Sequence, residues 1–507
     1  MTPTRLLQAL AASVTLASTA QAGLLDGASQ VWSNAHTGTP SGFLSEIVAF
    51  DGVTKTLWVS GVNGVNVLDA KTGASLSFID TSGWGSINSV AIHNGVAALA
   101  IESTTRTQAG VVQLYDTTSR SLLAGTSTIT VGALPDMLTF TPDGSRLLVA
   151  NEGTPATYGA RIGNTVPRNY GASASDPVGS VSIIDVASRS VVSTATLAGV
   201  AQSGTHIRTN TGMDFEPEYI TVNKAGTQAY VSLQEANAMG VLNLQSGQFT
   251  KVVGLGAKDF SAPGNAIDAV YNDGKVSFQS VVAQGLYMPD GMASFTGKGN
   301  KTYVVMANEG DFREDDGDRS AASSVGTTGP TSTLRISNTD SSAGNLYTAG
   351  ARSFSIRDAD GKLVYDSGNI LDVQANLAGL YNDNRSRDKG VEPEGVEVME
   401  IGGKTFAFIG LERTTTGAIA VFEIDANDPS QTSFVRLLTM NGQIAPEGLK
   451  GFTMDGMHYL AVSAEGADGV GAGTALFALA PVPEPSTYAM LLGGLGLVGW
   501  MARRRKA

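Results

Sequence analysis

The sequence predicts an all-β fold, a seven-bladed β-propeller with long loop insertions. Three observations lead there: the residue usage, a recurring strand unit, and acids that bracket the first two strands of that unit at a steady distance. The chain has 507 residues with 61 Gly and only 16% charged residues. Together with its many Val, Ile, Thr and Ser, that usage disfavours a helix-rich fold. A hydrophobic content of 42% is enough for a large core. There is no Cys, which excludes disulfides, zinc–thiolate sites, iron–sulfur clusters and a thiol nucleophile.

The unit is an acid opening a short apolar strand, a turn, a second strand ending in an acid, then two further strands. The third copy displays it well. Leu134-Pro135-Asp136 opens a strand, Pro142-Asp143-Gly144 turns, and the next strand ends at Asn151-Glu152. Openings fall at Glu46, Asn88, Asp136, Glu218, Asp290, Glu394 and Glu447, and endings at Gly61, Glu102, Glu152, Glu235, Glu309, Glu412 and Glu465. Each opening precedes its ending by 14 to 19 residues, whereas successive units lie 42 to 104 residues apart. A unit that cannot bury both faces alone must stack on its neighbours, and seven such units imply a closed propeller. The last unit stops after its third strand, so the segment 30–33 is expected to supply the fourth and close the ring. Three insertions, near 153–177, 254–286 and 310–350, are long enough to be functional or mobile.

The two ends read as addresses. Residues 1–22 have Arg5, an apolar run and the exit Ala20-Gln21-Ala22, the layout of a secretory signal peptide. The body would be 23–480, followed by a segment 481–507. That segment holds Pro483, Glu484 and Pro485, an apolar stretch at 488–502, and a basic cluster at 503–506. Fifteen apolar residues fall short of the roughly 20 that span a bilayer comfortably. The order of these three elements resembles the PEP-CTERM sorting tag of Gram-negative bacteria. The resemblance implies export, transient inner-membrane retention through a short transmembrane helix at 488–502, and processing by an exosortase. It further implies delivery to the cell surface or extracellular matrix. Net charge is −13 over the whole chain and −17 for the body, whose 28 basic and 45 acidic side chains exclude nucleic acid as a partner.

Adjacent strands of a blade are antiparallel, so openings and endings converge on one rim. Twelve carboxylates are expected there: the acids above, with Asn88 and Gly61 as the two exceptions. Like charges in a partly buried funnel raise one another's pKa or bind cations. Oxygen donors without Cys and with only four His favour Ca²⁺ or Mg²⁺ over softer metals. The candidate metal ligands are Glu152, Glu218, Asp290, Glu309, Asp311, Glu394, Glu412, Glu447 and Glu465. The competing explanation is that these acids cap turns by accepting backbone N–H groups.

Several stretches, among them 134–153, 216–244, 289–311, 385–398 and 445–452, together resemble the choice-of-anchor I family. That family comprises exported proteins sharing a propeller body; the chain is also similar to mesenchyme-specific cell-surface glycoproteins, which carry this body. The resemblance implies a fold and an address more than a reaction, although some members are labelled alkaline phosphatase-like. Pro393-Glu394-Gly395 and Pro446-Glu447-Gly448 are also similar to propeller phytases, in which rim carboxylates hold Ca²⁺ against phosphate oxygens. One departure stands in the loop after Asp311, where Phe312-Arg313-Glu314 replaces the family's Arg-Asp-Tyr pattern.

A serine hydrolase needs Ser, His and an acid together, and none of the four His sits in a Gly-x-Ser-x-Gly setting. His206 is retained as a candidate site residue. A phosphoryl site needs cations, and His206, Arg208, Arg313, Arg387, Lys389 and Arg413 are the candidate phosphate or ligand contacts, with Arg319 and Arg385 nearby. Trp32, Trp58, Trp84 and Trp500 supply no floor for a quinone cofactor. Three functions stay open: a module that binds a surface glycan or protein, a metal-dependent phosphoric ester hydrolase, and a matrix scaffold. Clustered arginines on the acidic rim would mark the enzyme; carboxylates engaged with backbone amides would mark the scaffold.

Overall fold

The computed structural model describes residues 23–155, 176–209, 215–312, 318–467 and 470–481. Within them, seven sheets are each built on the same four-stranded antiparallel meander. The first strands are Ser45–Asp51, Ile87–His93, Pro135–Phe140, Ile220–Val222, Met292–Gly297, Pro393–Ile401 and Pro446–Met454, and number blades 1 to 7 in that order. Each first strand neighbours the next, and the seventh returns to the first, so the sheets stand around a common axis.

Side chains alternate between the two faces of a strand, and each face here meets a neighbouring blade. The buried apolar clusters accordingly lie between blades. Trp58 and Val65 of blade 1 pack on Val90 and Leu99 of blade 2, and Phe408 and Val421 of blade 6 pack on Leu460 and Phe477 of blade 7. Second strands such as Thr56–Gly61 are buried along their whole length. At the outer hairpins, Asp69, Asp116, Asp185, Asn243, Asp358 and Asp425 end or follow the third strands. Each accepts a backbone N–H from the turn that comes next.

Ser29–Asn34 pairs antiparallel with Gly473–Pro481 and completes blade 7, as expected for ring closure. Beyond it the buried His36 places Nε2 2.9 Å from Thr474 Oγ1 and Nδ1 2.8 Å from Asn66 Nδ2, tying blade 7 to blade 1. Burial pushes the pKa of this imidazole down to about 4. Pro481 pairs with Met457 and Ser29 with Ala478, at the end of blade 7 remote from Glu447 and Glu465.

The second and third insertions are not separate loops. Ala257–Asp259, Gln284–Leu286 and Tyr347–Thr348 form one small sheet, and Arg319–Ala321 and Arg335–Ser337 another. Phe260, Ile267, Val281, Leu334, Ile336 and Leu346 give this satellite its own core. Two buried cations bind it to the ring. Lys258 Nζ donates to the Ala351 carbonyl at 3.1 Å and pairs with Asp366 at 2.9 Å. Arg352 donates to the Asp268 carbonyl at 3.2 Å and pairs with Asp372 at 3.7 Å. Most of the first insertion, the signal segment 1–22, Arg313, and the sorting residues Pro483, Glu484 and Pro485 with the stretch 488–502 lie outside the described residues. Among the described residues no helix is long and apolar enough to cross a membrane.

Candidate functional site

A cavity of about 730 Å³ opens at the start of the first strands. Eleven of the twelve expected carboxylates line it; the exception, Glu102, lines an adjoining cavity. Below, Ile47, Met137 and Tyr219 form an apolar floor that separates the funnel from a lower channel.

Backbone geometry explains the convergence. In Pro289-Asp290-Gly291, Pro393-Glu394-Gly395 and Pro446-Glu447-Gly448 the glycine receives the backbone carbonyl of the next blade's acid. A Cβ on Gly291 would stand 2.3 Å from the Glu394 carbonyl oxygen, one on Gly395 1.9 Å from that of Glu447, and one on Gly448 2.5 Å from that of Glu46. Four consecutive acids are thereby drawn together, acid beside glycine, blade upon blade. Before the proline, Leu134, Met288, Glu392 and Ala445 all adopt positive φ, between 43° and 57°. Such a conformation is uncommon without glycine, and its recurrence marks a shared turn that delivers the acid to the axis.

Among the described residues, thirteen acids and five bases line the funnel. The bases are unevenly placed: Arg385 and Lys389 come from the segment joining blades 5 and 6, Arg319 and Arg413 from the links between the second and third strands of those blades, and Arg106 from the same link in blade 2. Lys389 forms ion pairs with Glu309 and, at 3.1 Å, with Glu392. Burial opposes its charge, but Glu309, Glu392 and Asp311 outweigh burial and hold its pKa well above the ordinary lysine value. Arg385 Nε donates to Glu392 at 2.6 Å, and Arg413 pairs with Glu412 and, at 3.7 Å, with Glu392. This segment is positioned from behind by Arg352, which donates to the carbonyls of Ser386 and Asp388.

Among the described residues, two carboxylate trios have oxygens that all lie within 4.8 Å of one another: Asp290, Glu309 and Glu394, and Glu309, Glu392 and Glu412. The second trio is neutralised by Arg385, Lys389 and Arg413. The first is not so served beyond the contacts of Glu309, to which Gln234 Nε2 also donates at 2.9 Å. Glu394 is held well above the usual carboxylate range by burial and by Glu412, Glu447, Glu309 and Asp290. Asp290 is raised by burial and by Glu309, Asp136 and Glu412. Burial and Glu392 push Glu412 up to about 8, while burial and Glu102 push Asp136 up to about 6. Glu394, a member of the first trio, has a buried Oε2 without a hydrogen-bond partner. A buried oxygen of that kind, beside an all-oxygen donor set, fits a hard divalent cation.

A family model, the choice-of-anchor I domain, matches residues 46–427, and a second, the PEP-CTERM protein-sorting motif, matches residues 481–506. The chain belongs to the choice-of-anchor I family. With its sorting motif, this choice-of-anchor I protein is exported and associated with the cell surface. No curated protein matches it. Among solved structures, it is similar to Kuenenia stuttgartiensis hydrazine synthase at 11% identity and a TM-score of 0.46, over 84% of this chain and 95% of that one. The WD40 domain of Toxoplasma gondii coronin is similar at 9% identity and a TM-score of 0.46, over 92% and 89%. Neither likeness bears on what this choice-of-anchor I protein does.

Of the metal-ligand candidates, Glu152, Glu218, Asp290, Glu309, Asp311, Glu394, Glu412, Glu447 and Glu465 all line the funnel. Turn capping does not account for the set. Asp311 accepts a backbone N–H, from Phe312 at 2.8 Å, but Glu152 accepts the Thr154 hydroxyl and Glu309 the side chains of Gln234 and Lys389. Lys389 and Arg413 reach the funnel as expected. Three other expected contacts do not. His206 is exposed on a left-handed turn with its ring 5.4 Å from Tyr347. Arg208 is buried against Asp340 at 3.1 Å and donates to the Glu235 carbonyl at 2.8 Å, holding the satellite to blade 4. Arg387 lies over the Tyr271 ring at 3.8 Å. All three serve the satellite, because the described parts of the second and third insertions fold largely on one another and draw these side chains to them. Glu392 and Arg106 line the funnel without having been anticipated. Glu392 was readable as the residue before the proline of a Pro-acid-Gly turn, where Leu134, Met288 and Ala445 are apolar.

Proposed function

We propose that this protein is a surface binding module whose funnel takes a divalent cation, Ca²⁺ or Mg²⁺, and offers it to an anionic ligand. The observation that carries this reading is the trio Asp290, Glu309 and Glu394, three carboxylates within 4.8 Å in a cavity where acids outnumber bases thirteen to five. A divalent ion supplies the missing positive charge and leaves coordination positions open to ligand oxygens. Glu218, Asp311, Glu412, Glu447, Glu465 and Glu152 surround the trio and balance the ion's field. Arg385, Lys389 and Arg413 stand on one side, where they orient a ligand's negative group while keeping the neighbouring acids paired. The ligand is a surface glycan or protein, met after the exosortase has processed the tag and the inner-membrane stage through 488–502 has ended.

The cationic side of the funnel favours one second reading, hydrolysis of a phosphoric ester with the cation polarising the ester. A purely structural role is less well supported, since the acids face an open cavity.

The test is a Ca²⁺ titration of chelator-stripped protein, followed by melting and by turnover of p-nitrophenyl phosphate. Ca²⁺ is expected to raise Tm, by about 2.7 kcal/mol of stability at a hundred times Kd, and Glu394→Gln to weaken that response at least tenfold. Turnover that appears with Ca²⁺ and is lost in Glu394→Gln selects the esterase reading. A protein whose Tm ignores both Ca²⁺ and Mg²⁺ overturns the cation site.

A further inference from the structure

The acid pattern fails at only two of its fourteen positions, Gly61 and Asn88, and both failures fall where blade 1 meets blade 2. A second cavity, of about 580 Å³, occupies that gap on the same rim. It is continuous with the funnel, sharing Asn88, Arg106, Asp136 and Glu152. Its other walls differ in character. Asn63, Ser82, Ser86, Ser103 and Thr104 are uncharged hydrogen-bonding groups, joined by Glu102. The volume lies in the range of about 300–1,000 Å³ typical of small-molecule sites.

Trp84, 52% exposed, stands in the turn at the cavity's edge and is not itself a lining residue. Its sequence neighbours Ser82, Gly85 and Ser86 all line the cavity. The turn that carries it is fixed: Trp84 N donates to the Thr81 carbonyl at 2.8 Å, Thr81 N to the Asn63 carbonyl at 3.1 Å, and Glu102 N to the Ser86 carbonyl at 2.9 Å. Gly85 is packed so closely that a Cβ there would sit 1.8 Å from the Glu102 carbonyl oxygen. On that fixed turn a half-exposed aromatic ring can cover an apolar face of a ligand with only its two side-chain torsions left to order. The residues around it, Thr81-Ser82-Gly83 and Gly85-Ser86, offer no apolar continuation of the kind that a protein partner's buried centre requires.

We propose that this cavity is a subsite for an uncharged saccharide, one sugar ring lying on Trp84 and its hydroxyls bonded to Asn63, Asn88, Ser86 and Glu102. Amide and hydroxyl groups donate to and accept from sugar hydroxyls, and carboxylates accept from them. Glu102, Asp136 and Glu152, facing one Arg106, disfavour an acidic sugar at this place. The subsite stands on residues separate from the Asp290, Glu309 and Glu394 trio, so it requires no cation of its own.

Full-length protein, with and without Ca²⁺, is titrated with cellohexaose, mannohexaose and chitohexaose, and with hexagalacturonate as the acidic arm, by calorimetry and tryptophan emission. At least one neutral hexamer is expected to bind equally in chelator and in Ca²⁺. Trp84→Ala and Asn63→Ala are each expected to weaken it at least tenfold, while Tm and any Ca²⁺-induced rise in Tm stay as in the parent. The subsite is overturned if no neutral hexamer binds, or if binding survives Trp84→Ala unchanged. Binding of hexagalacturonate alone, and only with Ca²⁺, also overturns it and leaves the cation site standing. Loss of the Ca²⁺ response with retained neutral binding has the opposite meaning.

Discussion

Stripped of divalent cations, the protein is expected to lose stability as pH rises from about 4 to about 8. Most proteins behave in the opposite way over the acid half of that range, because their carboxylates are stabilised in the charged form. Here the sign is reversed. Glu46, Glu152, Glu218, Asp290, Glu394 and Glu447 are all raised well above the ordinary range by burial first and by neighbouring acids second. Asp136 and Asp311 are raised to about 6 and Glu412 to about 8. Lys389, Arg385, Arg413 and Arg106 temper the effect without cancelling it. An unfolded chain releases these protons near pH 4, so between there and the folded values the native state holds more protons. Stability is therefore complete below the unfolded pKa and falls as pH climbs through the folded ones, by about 1.4 kcal/mol per pH unit for each proton retained. Cations displace the same protons, so Ca²⁺ affinity rises with pH and saturating Ca²⁺ flattens the curve. Melting curves across this pH range, in chelator and in Ca²⁺, measure both. A metal-free Tm that is flat or rises to pH 8 would contradict the charge arrangement described.

Gly395→Ala is expected to damage both fold and funnel. The glycine has no positive φ, so alanine brings no backbone penalty of its own. Its Cβ, however, would stand 1.9 Å from the Glu447 carbonyl oxygen and 2.7 Å from Leu449 Cδ1. Neither the strand nor the next blade's backbone can yield without separating blades 6 and 7 at the rim. Overpacking of this kind costs roughly 1–3 kcal/mol, and the separation moves Glu394 from Glu447. Lower Tm and at least tenfold weaker Ca²⁺ response are expected together. Gly27→Ala, with nothing within 4 Å of the added carbon, serves as the control. If Gly395→Ala melts like the control, close blade contact is not what assembles the acids.

The ring was legible because its signal repeats. Acid, strand, turn, strand, acid recurs seven times with only Asn88 and Gly61 departing, and the antiparallel meander leaves one place for the brackets to meet. The closing strand Ser29–Asn34 was legible for the same reason, since a unit lacking its fourth strand needs one. What the sequence could not place were the contacts that the insertions make. Arg208, Arg387 and His206 are polar and precede a rim acid within one loop, as Lys389 does, yet they serve a satellite whose core of Phe260, Leu334 and Leu346 forms between segments some 70 residues apart. Glu392 escaped because its part is set by contacts with Arg385, Lys389 and Arg413, whereas the strand brackets are set by period. Trp84 escaped because one aromatic in a Gly-Ser turn resembles any loop residue until the cavity beside it is seen.

The directions of two terminal strands fix which face of the body carries the ends of the described chain. Ser29 enters and Pro481 leaves at the hairpin end of blade 7, while every rim acid stands at the opposite end. Both ends of the described body thus lie on the face opposite the bowl, so whatever is attached there leaves the carboxylates and the Trp84 turn open to solutes from the other side.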